Sequence, residues 1–204
     1  MAATTTGPAR KSSRPRGAAR REALLEAVLQ IVAEVGADAV THRRVAEVAE
    51  LPLASTTYWF DSKDHLLTAA LELAAERDTA QLLQAAAAAL LADVDPLDAA
   101  VDAIVDSPGD GPLSGRGSLV ASFALLLEAA RRPGLQEISS RWTEAYHNTL
   151  GRLLQAAGSA QPREDAELLL GAADGLLIEQ LATGTTDDLR PRLRRLAATL
   201  VAAS

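Results

Sequence analysis

Between Thr41 and Leu67 the chain reads THRRVAEVAELPLASTTYWFDSKDHLL, and no other stretch restricts its fold as much. Thr41 stands where a helix N-cap belongs, ahead of Val45, Ala46 and Ala49, which share one inward face. Pro52 interrupts that helix. The spacing then predicts a second short helix over Ala54–Phe60, with Ser55, Thr56, Thr57 and Tyr58 exposed and Trp59 and Phe60 bracing it on its neighbours. Asp61 or Ser62 caps a third, longer helix. A short helix that displays hydroxyls and a phenol has too little apolar surface to be core. It has the groups that hydrogen-bond phosphates and base edges. Two such helices about a tight turn read as a helix-turn-helix, an arrangement that enters DNA.

From about Arg20 to Leu67 the chain resembles the DNA-binding domain of the TetR family of bacterial regulators. That family's pattern is a first amphipathic helix ending near Gly, then Thr-x-x-x-Ile-Ala-x-x-Ala-Gly-Val-Ser-x-Gly-x-x-Tyr-x-Tyr-Phe-x-Ser-Lys-x-x-Leu. Gly36, Thr41, Val45, Ala46, Ala49, Phe60, Ser62, Lys63 and Leu66 stand where the pattern wants them. Glu50 and Ala54 replace its two glycines, Pro52 replaces its serine, and Thr57 with Tyr58 replaces tyrosine followed by a variable residue. An ordinary right-handed backbone is expected at Glu50, because a left-handed one strains any residue with a side chain.

The resemblance assigns roles to these positions. Thr41 caps its helix and offers its hydroxyl to phosphate, and Arg43 and Arg44 in the following turn reach the DNA backbone or a base edge. Ser55, Thr56 and Tyr58 contact bases or their surroundings, and Thr57 a phosphate. Lys63 meets phosphate together with the first amides of the long helix.

The formal net charge is −7, which at first argues against nucleic acid, but its distribution reverses the argument. Arg10, Lys11, Arg14, Arg16, Arg20 and Arg21 give the first 21 residues +6 with no acid, and the remaining 14 basic and 27 acidic residues leave −13. Such separation suits a chain with one end on phosphate and the rest held away from it. Residues 1–19 mix Thr, Ser, Gly, Pro and Arg without an apolar period and read as a flexible basic arm. Arg14 and Arg16 are its candidates for the minor groove.

Alanine and leucine dominate, aromatics are 3%, and β-branched runs are nearly absent, so the expected fold class is all-α. A three-helix helix-turn-helix domain over 20–66 is followed by a helical effector-binding and dimerisation domain over 67–204. The first helix runs from about Arg20 to Val35 and ends at Gly36. A long helix passes through Ala85–Leu91 towards the Asp95-Pro96 stop, a shorter one covers Leu97–Val105, and a Gly/Pro/Ser loop covers Ser107–Gly117. Ser118 caps a helix to Arg132, Pro133-Gly134 breaks the chain, and further helices span about 135–157, 163–182 and 187–202. The helix over 163–182 is apolar around most of its circumference and must be covered on more than one side. Its small residues let another helix approach closely. The resemblance implies that the last two helices pair with their symmetry mates as a four-helix bundle, with Leu170, Ala173, Leu177 and Leu181 as the candidate seam.

The resemblance also implies a small-molecule cavity within 67–181 whose occupant respaces the two DNA-binding heads. Trp142 and Tyr146 lie four apart on one helix face and could wall a pocket. Phe123, Asn148 and Asp174 complete the candidate set. Glu128, three and four residues ahead of Arg131 and Arg132, reads as a surface salt bridge.

No catalytic motif is present, no cysteine occurs, and His42, His65 and His147 lack ligand-spaced partners. Neither a metal nor a cofactor is expected. No membrane-length apolar run or secretory signal is present, so a cytoplasmic location is expected. The first reading is therefore a homodimeric, ligand-responsive regulator, a repressor, on a near-palindromic double-stranded operator, released by a small-molecule effector. An effector-independent architectural DNA binder is the second. A helical enzyme or adaptor is the third.

Overall fold

The computed structural model describes residues 14–106 and 115–203. Nine helices and no strand occur among them: α1 (Arg14–Val35), α2 (His42–Val48), α3 (Leu53–Trp59), α4 (Lys63–Leu91), α5 (Pro96–Val105), α6 (Arg116–Ala129), α7 (Pro133–Ala156), α8 (Pro162–Thr183) and α9 (Arg190–Ala203). None of them is long and apolar enough to cross a membrane.

Local chemistry sets most boundaries. Thr41 Oγ1 accepts from the Arg44 amide at 3.2 Å, Ser62 Oγ from the His65 amide at 3.1 Å, and Asp95 Oδ1 from the Leu97 amide at 2.8 Å. Each satisfies a helix-start donor that would otherwise have no partner. Pro96, Pro133 and Pro162 open α5, α7 and α8, where a missing N–H costs nothing. α4 ends at Leu91, four residues before the expected stop, because Asp93 turns left-handed (φ 55°) and Val94 bonds back to the Ala89 carbonyl. Gly115, not Ser118, is the N-cap of α6, which places Ser118 inside the helix.

α1 starts at Arg14, earlier than expected. Arginine is a good helix former and Pro15 in the first turn is tolerated. The proposed arm thus loses Arg14 and Arg16 to helical backbone. Their side chains and residues 1–13 lie outside what is described.

Two apolar clusters hold the chain. The first joins Leu24, Val28 and Ile31 of α1 to Val45, Phe60, Leu66, Leu67 and Leu71, and continues into Leu125, Leu135 and Trp142. The core is therefore continuous across the expected 66/67 boundary, and α1 rests directly on α6. The second gathers Leu82, α5, Leu150, Leu153 and Leu154 of α7, Leu169 and Ala173 of α8, and Leu193 and Ala197 of α9. Tyr146 packs against both clusters.

Candidate nucleic-acid interface and regulatory core

The turn between α2 and α3 is built on a left-handed residue. Leu51 donates to the Ala46 carbonyl at 3.0 Å and Glu50 to the Glu47 carbonyl at 3.2 Å, the two bonds of a Schellman ending. That ending requires its penultimate residue to be left-handed, and Glu50 has φ 53°. The expectation of a right-handed Glu50 is thus overturned. Two backbone bonds over-determine the turn, and the side chain bears the strain.

α3 is oriented by what it buries. Thr56 is 0% exposed and Phe60 1%, while Leu53 is 50% and Tyr58 77% exposed, with Ala54 and Thr57 also outward. Thr56 Oγ1 donates to the Leu53 carbonyl at 2.7 Å, which satisfies its hydroxyl inside the core. Thr56 is therefore not on the outward face, contrary to expectation. Ser55 is half-buried, and Thr57 Oγ1 donates to the Ala54 carbonyl at 3.4 Å. Sequence reasoning had placed only hydroxyls here and missed Leu53. Leu53 lies one turn ahead of Thr56, but as the first residue of α3 it is exposed beyond the packed turn.

The basic start of α1 lies beside α3. A side chain at Gly17 would meet Trp59 at 3.6 Å, so glycine there permits a close approach. One turn on, the Arg21 guanidinium sits 5.6 Å from the centre of the Phe60 ring, a cation–π contact. Around this platform, Arg43 is exposed and bonded to Glu47 at 2.9 Å, and Arg44 is exposed. Lys63 turns back to donate to the Asp38 carbonyl at 3.0 Å. The phosphate role expected of Lys63 requires that tether to open.

Between α4 and α7, Trp142 Nε1 and Tyr146 OH both donate to Asp78 Oδ2 of α4, at 2.6 and 2.7 Å. Trp142 and Tyr146 do share a face, and an acid that sequence reasoning missed holds them. The signal was present: Asp78 continues the stripe Leu71, Ala75, Leu82, whose other members are buried. Ser139, on the same side of α7, has a buried Oγ without a hydrogen-bond partner among the described residues. Phe123 is half-buried on α6. Asn148 is exposed and beside Glu144, so it does not join the set. Asp174 is half-buried on α8, and burial lifts its carboxyl to about 6.

The expected salt bridge of Glu128 with Arg131 and Arg132 forms, with the carboxylate end covered (Glu128 is 8% exposed) and Arg131 out at the surface. The Arg132 hydrogen bond, opposed by burial and aided by Arg131, holds the carboxyl below its usual range. An open groove of about 630 Å³ runs between these residues and Asp38, Asp64 and Thr68.

On α8, Leu170 and Ala173 are 9% and 0% exposed and face the chain's own second cluster. They are not available as a seam, and Leu177 and Leu181 are half-buried. The outward stripe is Leu168, Gly171, Gly175 and Ile178, with Leu168 59% and Ile178 48% exposed.

Residues 92–203 match a family described as Tetracyclin repressor-like, C-terminal domain. Across 190 residues the chain is 26% identical to the HTH-type nicotine-responsive transcriptional repressor HdnoR of Paenarthrobacter nicotinovorans, covering 89% of this chain and 92% of that protein. A structure of a TetR family member from Streptomyces coelicolor A3 superposes with a TM-score of 0.70 at 30% identity, covering 89% and 98% of the two chains. The multidrug binding protein EbrR complexed with imidazole gives 0.67 at 30% identity, covering 89% and 94%. EbrR structures with ethidium, proflavin and malachite green are similar too.

Proposed function

The chain belongs to the TetR family of DNA-binding transcriptional regulators, and from that membership we propose that it is a repressor that grips a near-palindromic operator as a homodimer and is released by a basic aromatic effector. The observation that carries the DNA-reading role is the division of α3. Thr56 and Phe60 seal one side into the core, while Leu53, Ala54, Thr57 and Tyr58 stand outward beside the arginine-bearing start of α1. The second helix of a helix-turn-helix enters the major groove with such a face while the first crosses the backbone. Thr41, Arg43, Arg44 and Thr57 are assigned to phosphate, Tyr58 to base edges, and Lys63 to phosphate once it leaves Asp38.

The effector site is assigned to the junction of the two apolar clusters, around Asp78, Trp142 and Tyr146, with Phe123 on the neighbouring helix. A carboxylate between an indole and a phenol suits an aromatic ring carrying positive charge. The compounds named for HdnoR and EbrR are basic or cationic aromatic molecules, which supports that chemistry here. The seam is assigned to the outward stripe of α8, because two exposed leucine-sized side chains and two glycines invite a second helix. Release follows if the effector favours a dimer whose α3 helices no longer match the operator spacing.

The test is operator titration at two salt concentrations with and without ethidium, for wild type and Asp78→Asn. Wild type should bind the duplex upstream of its own gene better than scrambled DNA, and ethidium should release it. Asp78→Asn should bind DNA normally and resist release. Equal binding to scrambled duplex removes the regulatory reading, and release of both proteins alike removes Asp78 from the effector site.

A further inference from the structure

α3 has the sequence Leu-Ala-Ser-Thr-Thr-Tyr-Trp, without arginine, lysine, asparagine, glutamine or an acid. Those absent types are the ones that read the hydrogen-bonding code of the major groove: Arg or Lys at guanine, Asn or Gln at adenine, a carboxylate at cytosine. Hydroxyls remain, and two are already engaged. Thr56 is buried on the Leu53 carbonyl, and the Thr57 hydroxyl is directed at the Ala54 carbonyl. What α3 displays is therefore mostly carbon: the Leu53 side chain at 50% exposure, the Ala54 methyl, the outward Thr57 and the Tyr58 ring.

The major groove offers one apolar group, the C5-methyl of thymine. We infer that α3 reads thymine through that methyl, and that Leu53 is the side chain that sets the preference, flanked by Ala54 and Thr57. The inference rests on α3 being the helix that enters DNA. Charged contacts from α2 and the start of α1 position the protein, and they carry no base identity of their own. Beside the base edge assigned to Tyr58, specificity then depends on shape complementarity at a few methyls. Water at an uncovered Leu53 is displaced only where a methyl replaces it.

The experiment begins by selecting operator sequences from a random duplex pool with the full chain. Each thymine of the enriched half-site is then replaced by deoxyuridine, which keeps the base pair and O4 and removes only the methyl. At the positions facing α3, Kd should rise roughly fourfold per methyl at fixed salt. Leu53→Ala, an exposed position, should bind the thymine operator about as weakly as wild type binds the deoxyuridine one, and should not distinguish the two. An enriched sequence bound equally well in both forms overturns the methyl readout and leaves the regulatory reading standing. A pool that yields no enriched sequence sinks that reading, and this inference with it. Because the deoxyuridine arm alters only the DNA, it does not depend on any variant folding.

Discussion

Arg132, in the turn that joins α6 to α7, forms a salt bridge with Asp64 in the first turn of α4. The same guanidinium bonds Glu128 one turn back at 2.8 Å. Lys63, adjacent to Asp64, is tied to Asp38 ahead of α2. A continuous set of charges therefore runs from the regulatory helices to the segment that carries the helix-turn-helix. Arg132→Ala leaves a buried Glu128 carboxylate with Arg131 alone and should cost about 1–3 kcal/mol, read by chemical denaturation. It should also shrink the effector-induced change in operator Kd, because the link between the halves is cut. A destabilised variant with an unchanged effector response would show that the bridge is structural only.

Asp174 gives the protein a pH dependence of opposite sign to that of ordinary carboxylates. Its folded carboxyl titrates near 6 against an unfolded value of 3.8, with burial as the cause. Between these values the unfolded chain has lost the proton that the native chain retains. Stability therefore falls as pH rises through that window, and the full penalty applies above about 6. Asp174→Asn should match wild type near pH 4 and exceed it at pH 7 by about 1–3 kcal/mol, after discounting for partial exposure. An advantage that does not vary with pH would assign the effect to packing.

Gly171 and Gly175 have open space where a side chain would be. In an isolated subunit, alanine at either should stabilise α8 by about 1 kcal/mol through helix propensity. In the proposed dimer both lie at the closest approach. Gly171→Leu or Ile178→Asp should shift the protein to monomers in sedimentation runs without loss of helicity. Leu170→Ala should instead lower stability by about 2–5 kcal/mol, because Leu170 faces the chain's own core. Dimers that survive Gly171→Leu and dissociate with Leu170→Ala would put the seam on the opposite side of α8.

These outcomes show where sequence carries physical information. Caps are local, so Thr41 and the pair Asp61 and Ser62 could be read from residue order, as could the shared face of Trp142 and Tyr146, whereas Asp95-Pro96 reads as a stop and in the fold caps the next helix. Helix rotation is legible only against a polar face. α8 is apolar on nearly all sides, so nothing in its periodicity separates inward Leu170 from outward Leu168. α3 has seven residues, too few to fix its phase, and threonine, both polar and small, fits inside as well as outside. Pairings over long separations, such as Asp64 with Arg132 or Asp78 with Trp142, have no local signature. Asp78 was missed although its position, an acid on the otherwise buried stripe Leu71, Ala75 and Leu82, offered a signal.

Glu50 supplies the remaining prediction. Its backbone is held left-handed by the Leu51–Ala46 and Glu50–Glu47 bonds, a conformation that costs a residue with a side chain about 1–2 kcal/mol. Glu50→Gly removes that cost and adds unfolded-state entropy of about 0.4–1 kcal/mol, so the net gain should be about 0.5–1 kcal/mol. The denaturation midpoint should rise while the slope stays constant. Glu50→Ala keeps the strain and should be close to neutral. Glu50→Pro can adopt neither the angle nor the Glu47 bond and should unfold the turn. Since the two bonds and not the side chain fix the α2–α3 angle, Glu50→Gly should bind operator as wild type does. A large change in operator Kd for the glycine variant would mean that the Glu50 carboxylate itself acts at the DNA.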